Sequence, residues 1–319
     1  MTSRALALFI AMSVIWGIPY LFIRIAVAEV SPAVLVFART GMATLILLPY
    51  ALARTDVRAV LARWPWVVVF AGVEIGGPWL LLGSAEQKVP SSLAALLIAG
   101  VPLVGTVVAL ATGSRHRVGR AGAAGMALGL VGVAAIVGVN LETTDPGALV
   151  EIALVAVGYA VGPAILVRRL GGLPSTAVMA VSLAMVAVVY APVAALQWPA
   201  VMPSRDALLS ILVLGTVCTA MAFIVFSALI AAIGPVRSTV ITFINPAVAA
   251  VLGVLVLSEP FTPGMAAGFG LVLAGSALAT RAPAETGDPS DPVAPAATPD
   301  PAAPAATSTR SNPSDPRPA

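Results

Sequence analysis

Residues 235–260 read PVRSTVITFINPAVAAVLGVLVLSEP, an apolar run that is interrupted near its middle by Asn245-Pro246. A helix needs about 20 mostly apolar residues, each rising about 1.5 Å, to cross the hydrocarbon core of a membrane. The run therefore predicts a membrane-crossing helix with a polar break. Residues 90–116, PSSLAALLIAGVPLVGTVVALATGSRH, have the same design, and superposing the two runs places Pro102 on Pro246, an offset of 144 residues. We therefore expect a duplicated chain.

The composition requires a membrane as the solvent. Of the 319 residues, 59% are hydrophobic and 10% are charged, whereas soluble domains have about 45–50% and about 25%. The arginines lie in short clusters between apolar runs and not along one basic face, so the net charge of +3 does not indicate a nucleic-acid partner. One cysteine, Cys218, and one histidine, His116, cannot form a disulfide framework or a Cys/His metal site. We expect an all-α integral membrane protein without a cofactor.

Ten apolar runs have the length of a membrane span, and the first, which follows Arg4, is too long for a cleaved secretory signal. Some connections have only four to seven residues, which makes consecutive helices antiparallel neighbours. The predicted spans are 5–27, 32–53, 66–84, 90–111, 119–139, 147–167, 174–196, 206–230, 235–257 and 262–280.

The basic residues predict the orientation. With the N-terminus inside, the outer flanks carry only Lys88 and Arg205. The positive-inside rule then predicts a protein of the cytoplasmic (inner or plasma) membrane with both termini in the cytoplasm. The acidic residues Glu29, Glu86, Glu142, Asp145, Asp206 and Glu259 fall mostly outside. The inner flanks carry Arg4, Arg54, Arg58, Arg63, Arg115, Arg117, Arg120, Arg168, Arg169, Arg237 and Arg281.

The C-terminal segment has a different composition. Of the 39 residues from Arg281 onward, ten are proline and Val293 is the single large aliphatic residue. Such a segment cannot bury enough apolar surface to fold. Residues 282–319 are predicted to be a disordered Pro/Ala-rich cytoplasmic tail, with a docking role as the alternative to a merely solvated extension.

The offset of 143 or 144 residues divides the spans into a first repeat, residues 1–140, and a second repeat, residues 141–281. Each repeat has five helices, an odd number, so the two copies are expected to cross the membrane in opposite directions, as in many secondary transporters. The offset pairs Pro19 with Pro163, Gly72 with Gly215, Ala85 with Ala228, Pro102 with Pro246 and Gly125 with Gly268. The four paired prolines are about 15–21 Å deep, and four helix interruptions at that depth predict a polar cavity between the halves.

Several motifs resemble those of the drug/metabolite transporter superfamily, in particular its EamA-like group of ten-helix proteins with two five-helix halves. They are Ile15-Trp16-Gly17, Arg39 after Ser31-Pro32, and Asn245-Pro246 followed by Gly253, Ser258 and Glu259-Pro260. The resemblance covers residues 5–280. The chain departs from it at Gly113-Ser114-Arg115-His116, where the family often has Gly-Glu-Arg. The resemblance implies export or exchange of small metabolites, such as amino acids, by alternating access without ATP.

Two charged residues within predicted spans are candidates for the transport site, because each buried charge needs a partner or a purpose. Arg39 is about 10 Å from the outer face and Glu74 about 12 Å from the inner face, which permits a direct ion pair or bridging by a substrate. In the functional interpretation Arg39 holds a carboxylate or phosphate of an anionic or zwitterionic metabolite, and Glu74, whose counterpart is Val217, is a proton or cation site. The alternative is a structural ion pair.

Aromatic and polar residues near the midplane complete the predicted substrate site. Tryptophan and tyrosine are usual at membrane interfaces, so their presence at depth favours a cavity. The candidates are Trp16, Tyr159, Phe243 and Asn245, and Trp79 belongs either to the cavity or to the outer aromatic belt.

Other functions have weaker support. A membrane-embedded enzyme would need clustered acids, histidines or an activated nucleophile, which the sequence lacks. A non-transport scaffold or sensor with a docking tail is the alternative to a transporter. Glycine pairs at helix-packing spacing occur at Gly72/Gly76, Gly125/Gly129 and Gly264/Gly268. They favour packing inside the bundle and leave a monomer and a homodimer both open.

Overall fold

The computed structural model describes residues 2–111, 120–138, 145–234, 238 and 240–279. The loop Gly113-Ser114-Arg115-His116, Glu142 and the tail 282–319 lie outside the described residues. Within them the chain is helical apart from short connections, and no strand occurs there.

The helices are numbered in chain order, and two of them are extended by a π-helical segment of six residues. The π segments are Ala71–Gly76, between α5 and α6, and Thr216–Met221, between α12 and α13. The α-helices are α1 Ser3–Ile15, α2 Pro19–Val27, α3 Pro32–Arg54, α4 Val57–Leu61, α5 Trp64–Phe70, α6 Gly77–Glu86, α7 Ser91–Ile98, α8 Val101–Ala111, α9 Arg120–Gly138, α10 Pro146–Arg169, α11 Ser175–Leu196, α12 Arg205–Gly215, α13 Ala222–Ile233, α14 Ile241–Leu257 and α15 Pro263–Ala279.

Eight helical segments of the described chain are long and apolar enough to cross a membrane. Two further apolar helices, α14 and α15, are shorter. Each of the ten predicted spans therefore overlaps an apolar helical segment, and eight of these segments reach spanning length within the described residues. The eight are Ser3–Val27, Pro32–Arg54, Trp64–Glu86, Ser91–Ala111, Ala121–Gly138, Pro146–Arg169, Ser175–Leu196 and Arg205–Ile233.

The paired prolines interrupt helices in the first repeat only. Pro19 begins α2 after a turn at residues 16–18, and Pro102 is the second residue of α8, after a turn at residues 99–100. In the second repeat α10 and α14 continue through Pro163 and Pro246. The expectation of four interruptions is therefore wrong for these two. A proline removes only one backbone donor, and neighbouring helices can keep the rest of the ladder in place.

The two π segments lie at corresponding places in the two repeats, in the third and the eighth apolar segments, and their first residues are 145 positions apart. A π segment inserts one residue into a helix and often marks a functional site. Superposing the segments matches Glu74 to Thr219 and not to Val217. The Thr219 hydroxyl donates to Leu214 O at 2.7 Å, five residues back, and the Tyr190 hydroxyl donates to Gly76 O at 2.9 Å.

Helices of the first repeat pack mainly against helices of the second. Helix α3 packs on α11. The third apolar segment packs on the sixth through α6 and α10, and the eighth packs on the first through α12 and α2. Because the eighth segment corresponds to the third and the first to the sixth, these two contacts are counterparts. The same pairs of helices therefore meet when the two repeats are exchanged.

Helices α9 and α15 pack backbone against backbone through glycine. A Cβ atom added at Gly125 would lie 2.6 Å from Ala279 N, and one at Gly132 would lie 2.7 Å from both Gly268 O and Val272 N. Such small-residue contacts let membrane helices approach closely. The predicted packing role of Gly72 is wrong, because a Cβ atom there would meet nothing within 4 Å.

Carboxylates from the connections join the two repeats at one end of the bundle. Glu259, which follows α14, accepts from Ser91 N at 2.7 Å and Ser92 N at 2.8 Å. It thereby satisfies two of the backbone donors that a helix leaves open at its N-terminus, here that of α7. Glu29 accepts from Ser204 N at 2.6 Å and from its hydroxyl at 2.5 Å, just before α12.

A third contact at this end involves Glu151 of α10. Its Oε1 accepts from Ser84 Oγ at 2.9 Å and from Lys88 Nζ at 2.8 Å. The hydrogen bond to Glu151 raises the pKa of Lys88 above its ordinary value. All three contacts involve connections that follow odd-numbered spans, so they lie at the end of the bundle that the sequence predicts to face outward.

Candidate functional site

Arg39 is buried in the interior, between the two repeats. It lies on α3 with 7% of its surface exposed. Its Nε donates to the Thr219 hydroxyl at 2.9 Å, and its guanidinium carbon lies 3.6 Å from the centroid of the Trp79 ring. The π segment of the second repeat therefore supplies a hydrogen bond, and α6 of the first repeat supplies a cation–π contact.

Two tyrosines complete this polar centre. The Tyr159 hydroxyl is within reach of the Trp79 indole N–H, which is a donor only. Tyr20 of α2 and Tyr159 of α10 are both close enough to Arg39 to interact with it electrostatically. Tyr159 packs at the edge of one hydrophobic cluster and Trp79 at the edge of another, so the polar centre lies where the two clusters meet.

Glu74 lies beside this centre, in the first π segment. It faces Gly162 of α10, where an added Cβ atom would overlap its carboxyl group, and it interacts electrostatically with Tyr159. Its Oε2 is buried and has no hydrogen-bond partner in the described chain. The predicted direct ion pair with Arg39 does not form, because Lys88–Glu151 is the single ion pair within 4.0 Å among the described residues.

Glu86 is a member of the polar centre that the sequence did not predict. It was expected in an outer loop, yet it is the last residue of α6 and is fully buried, and neither carboxyl oxygen has a hydrogen-bond partner in the described chain. Its charged neighbours are Glu259, Arg24 and Arg39, and Arg24 also donates to its backbone carbonyl. The spacing from the buried Leu82 was the available signal, because residues four apart share a helix face.

Trp16 and Asn245 lie in another part of the interior. With its amide assigned so that the nitrogen donates, Asn245 bonds to Ile241 O at 2.9 Å and to Ser13 O at 3.0 Å. A Cβ atom at Gly17 would lie 2.5 Å from Val248 Cβ. The motifs Trp16-Gly17 and Asn245-Pro246 therefore pack the first apolar segment against α14.

The aromatic neighbours of Trp16 belong to the same region. Its ring lies 4.7 Å from that of Phe226 and 6.1 Å from that of Phe223, both on α13. Phe243 is half-buried near the start of α14. In the described chain no side-chain hydrogen bond, ring contact or cation–π contact joins Trp16, Phe243 or Asn245 to Arg39.

Arg39 is buried and lies apart from one cavity of this conformation. A cavity of about 560 Å³ opens between α3, α6 and α11, but neither Arg39 nor Trp79 lines it. Its walls are mostly apolar, with Ser84, Gln87, Tyr190 and Gln197 as the polar lining residues. This cavity is therefore different from the central polar cavity that the paired prolines predicted.

The chemistry of the centre suits the binding of an anion. A guanidinium group on an aromatic ring, with one nitrogen already bonded, retains donors for a planar anion such as a carboxylate. No group of three or more metal-ligating side chains occurs in the described chain. The interior of this helical membrane protein therefore holds one arginine and two carboxyl groups that form no ion pair within 4.0 Å among the described residues, and such buried charges are typical of membrane transport proteins.

Comparison with known proteins agrees with this class. The model of the EamA-like transporter family matches residues 3–138 and again residues 147–281, so the chain belongs to that family. It is accordingly a multi-pass membrane protein of a family of transporters. Comparison with curated proteins gives no significant match.

Nine chains of solved structures match significantly. One of them, titled "Crystal structure of protein", has 22% sequence identity and a TM-score of 0.63 over 88% of this chain and 97% of its own. At this identity the likeness supports the fold.

Proposed function

We propose that the protein is a secondary active transporter that exports or exchanges small metabolites such as amino acids across the cytoplasmic membrane, with Arg39 as the anion-binding group. The observation that carries this proposal is the state of Arg39. It is a buried cation without a carboxylate within 4.0 Å in the described chain, and residues of both repeats hold it in one orientation. A buried charge is costly unless it is paired, and an anionic group of the substrate would provide the missing partner.

The arrangement of the helices supports alternating access as the mechanism. Five helices per repeat would make the two halves cross the membrane in opposite directions, giving ten spans with both termini cytoplasmic. Thr219 and Trp79 contact Arg39 from opposite repeats. Rocking of one repeat against the other would therefore change the environment of Arg39, and binding of the substrate would be linked to that motion.

Two acids are candidates for coupling transport to protons. Glu74 lies in a π segment, and its Oε2 is unpaired. Glu86 is fully buried and is the acid that interacts electrostatically with Arg39. A carboxyl group that changes its protonation when an anion reaches Arg39 would keep the charge of the interior balanced. We assign this role to Glu74, with Glu86 as the matched comparison.

The test is transport by the purified full-length protein in liposomes. Uptake and efflux of labelled amino acids and related organic acids are measured with and without a proton gradient. We expect saturable flux in the wild type, loss of that flux in Arg39→Gln, and partial retention in Arg39→Lys. Lysine keeps the charge, but it does not reproduce the planar contact with Trp79 or the bond from Nε.

Arg205→Gln is the control, because Arg205 is exposed and lies outside the polar centre. Loss of gradient dependence in Glu74→Gln alone would support its coupling role, and the same loss in Glu86→Gln alone would move that role to Glu86. Wild-type flux that survives Arg39→Gln unchanged would remove Arg39 from the site. Absence of flux for every compound, in protein of confirmed folding, would contradict the proposal for this substrate class.

A further inference from the structure

Five exposed arginines lie together at the end of the bundle where α3, α4 and α5 contact α11, and where α10 contacts α5. The helix ends share one hydrophobic cluster, which includes Ala51, Val60, Val67 and Leu170. We call this surface the basic end. Its arginines are Arg54, Arg58, Arg63, Arg168 and Arg169.

Within the part of the chain that the structure describes, no ion pair balances the positive charge of the basic end. Asp56 is the single acid between Arg54 and Arg63, and its carboxylate accepts from Arg58 N at 3.0 Å as the cap of α4. None of the five arginines has a carboxylate within 4.0 Å in the described chain. Clustered arginine without a counter-ion favours an anionic partner.

Two of these arginines are held in defined positions. Arg63 Nη1 donates to Arg169 O at 3.2 Å and to Gly171 O at 3.3 Å. The guanidinium carbon of Arg169 lies 4.3 Å from the centroid of the Trp66 ring. These contacts leave further N–H donors on both groups, because a guanidinium carries five. The two side chains therefore form a preorganised pair of donors.

Large apolar side chains surround this pair. Trp64 is 58% exposed, Trp66 is 38% exposed and Val167 is 75% exposed. Tryptophan at a helix end of a membrane protein sits at the level of the lipid headgroups. The arginines are therefore at the depth of the lipid phosphates, and the apolar side chains are next to the acyl chains.

We propose that the basic end binds an anionic phospholipid, with its phosphate held between Arg63 and Arg169 and its acyl chains lying against Trp64, Trp66 and Val167. Arginine binds phosphate through paired N–H donors, and basic surfaces between membrane helices bind anionic headgroups. The adjacent apolar surface distinguishes a lipid from free phosphate, which would leave the tryptophans and Val167 without a partner. The proposal does not depend on the transported substrate.

The test is native mass spectrometry of the full-length protein in detergent, titrated with phosphatidylglycerol or with phosphatidylcholine of the same acyl chains. We expect phosphatidylglycerol to bind in preference to phosphatidylcholine. The double variant Arg63→Gln/Arg169→Gln should lose about tenfold in apparent affinity for phosphatidylglycerol. Arg168→Gln removes an exposed arginine that makes no hydrogen bond or ring contact with the described residues. This variant should lose less affinity than the double variant while leaving the fold intact.

The control is Arg4→Gln/Arg205→Gln, which removes the same charge from exposed positions outside the basic end and should bind phosphatidylglycerol as the wild type does. Equal binding of the two lipids, or equal losses in the control and the double variant, would overturn the proposal. Glycerol phosphate is the soluble probe. If it competed with phosphatidylglycerol at equal concentration, the surface would be a free-phosphate site and the lipid assignment would be wrong.

Discussion

At Gly162 the backbone of α10 runs directly against the carboxyl group of Glu74, and an added Cβ atom would overlap that group. We expect Gly162→Ala to displace Glu74 or to separate α10 from the π segment, lowering the free energy of unfolding by about 1–3 kcal/mol. Transport should fall as well, because Glu74 lies beside Tyr159. The measurements are thermal unfolding in detergent and flux in liposomes.

The control for Gly162→Ala is Gly41→Ala on α3, where an added Cβ atom would meet nothing within 4 Å. Alanine favours the helix over glycine by about 0.5–1 kcal/mol, so this variant should be unchanged or slightly more stable. Equal stability of the two variants would show that Gly162 is not required by the position of Glu74.

Glu29 gives a residue-scale prediction of pH dependence. Hydrogen bonds from the Ser204 hydroxyl and backbone N–H lower the pKa of Glu29 below its ordinary value. A lowered pKa in the folded state adds stability at pH values above the unfolded value of about 4.3, and that stability is lost as the pH falls through the folded value. The melting temperature of Glu29→Gln should therefore be below that of the wild type at neutral pH, and the two should converge in acid. A difference that is constant with pH would contradict this assignment.

The sequence predicts the depth of a residue better than its direction around the helix. A rise of about 1.5 Å per residue fixes depth from the helix ends, and Arg39, Glu74, Trp79 and Tyr159 are indeed brought together in the interior. Trp16 and Asn245 were selected by depth as well, but the Trp16 ring packs against α13 and the Asn245 amide bonds to Ser13 O of α1. Direction depends on which helices pack together, which is a property of the whole fold.

At the scale of helices, two glycines of α15 give a matched pair of variants that tests its packing on α9. A Cβ atom at Gly268 would lie 2.7 Å from Ile136 Cγ1 and 2.9 Å from Gly132 O, whereas one at Gly270 would meet nothing within 4 Å. We expect Gly268→Ala to lower the free energy of unfolding by about 1–3 kcal/mol. Gly270→Ala should leave it unchanged or raise it by up to about 1 kcal/mol. Thermal unfolding in one detergent compares the two variants. Equal melting temperatures would mean that α9 and α15 can move apart at Gly268 without loss of stability.

The helix ends follow from the sequence more closely than the internal irregularities do. Proline and capping residues mark the ends, as at Ser31-Pro32 and Asp145-Pro146, where the Ser31 and Asp145 side chains accept from backbone N–H groups of α3 and α10. The π segments carry no such mark. Inserting one residue into a helix changes hydrogen bonds without requiring a particular residue type, so composition and periodicity do not reveal it.

At the scale of the whole molecule, the two repeats are tied together by three carboxylates at one end, Glu29, Glu151 and Glu259. Each accepts hydrogen bonds from the other repeat. At the opposite end the described contacts between repeats include Arg63 with the backbone of Arg169 and Gly171. The three carboxylate contacts hold the two repeats together at the predicted outer end, and a carrier that alternates access by separating the repeats there must break them during each cycle.

Cross-linking the two repeats at the predicted outer end tests that requirement. Glu29→Cys/Ser204→Cys is prepared in a Cys218→Ala background, which removes the single native thiol, and a short reversible bis-methanethiosulfonate joins the two new thiols. Because Glu29 and Ser204 belong to different repeats and are in direct contact, the link should keep the two repeats together at the predicted outer end. It should therefore stop flux of the metabolite identified in liposomes. Reduction should restore that flux, and the reagent should have no effect on Glu29→Cys alone. Full flux through cross-linked protein would mean that the repeats do not separate at this end, and rocking about Arg39 could not then be the transport step.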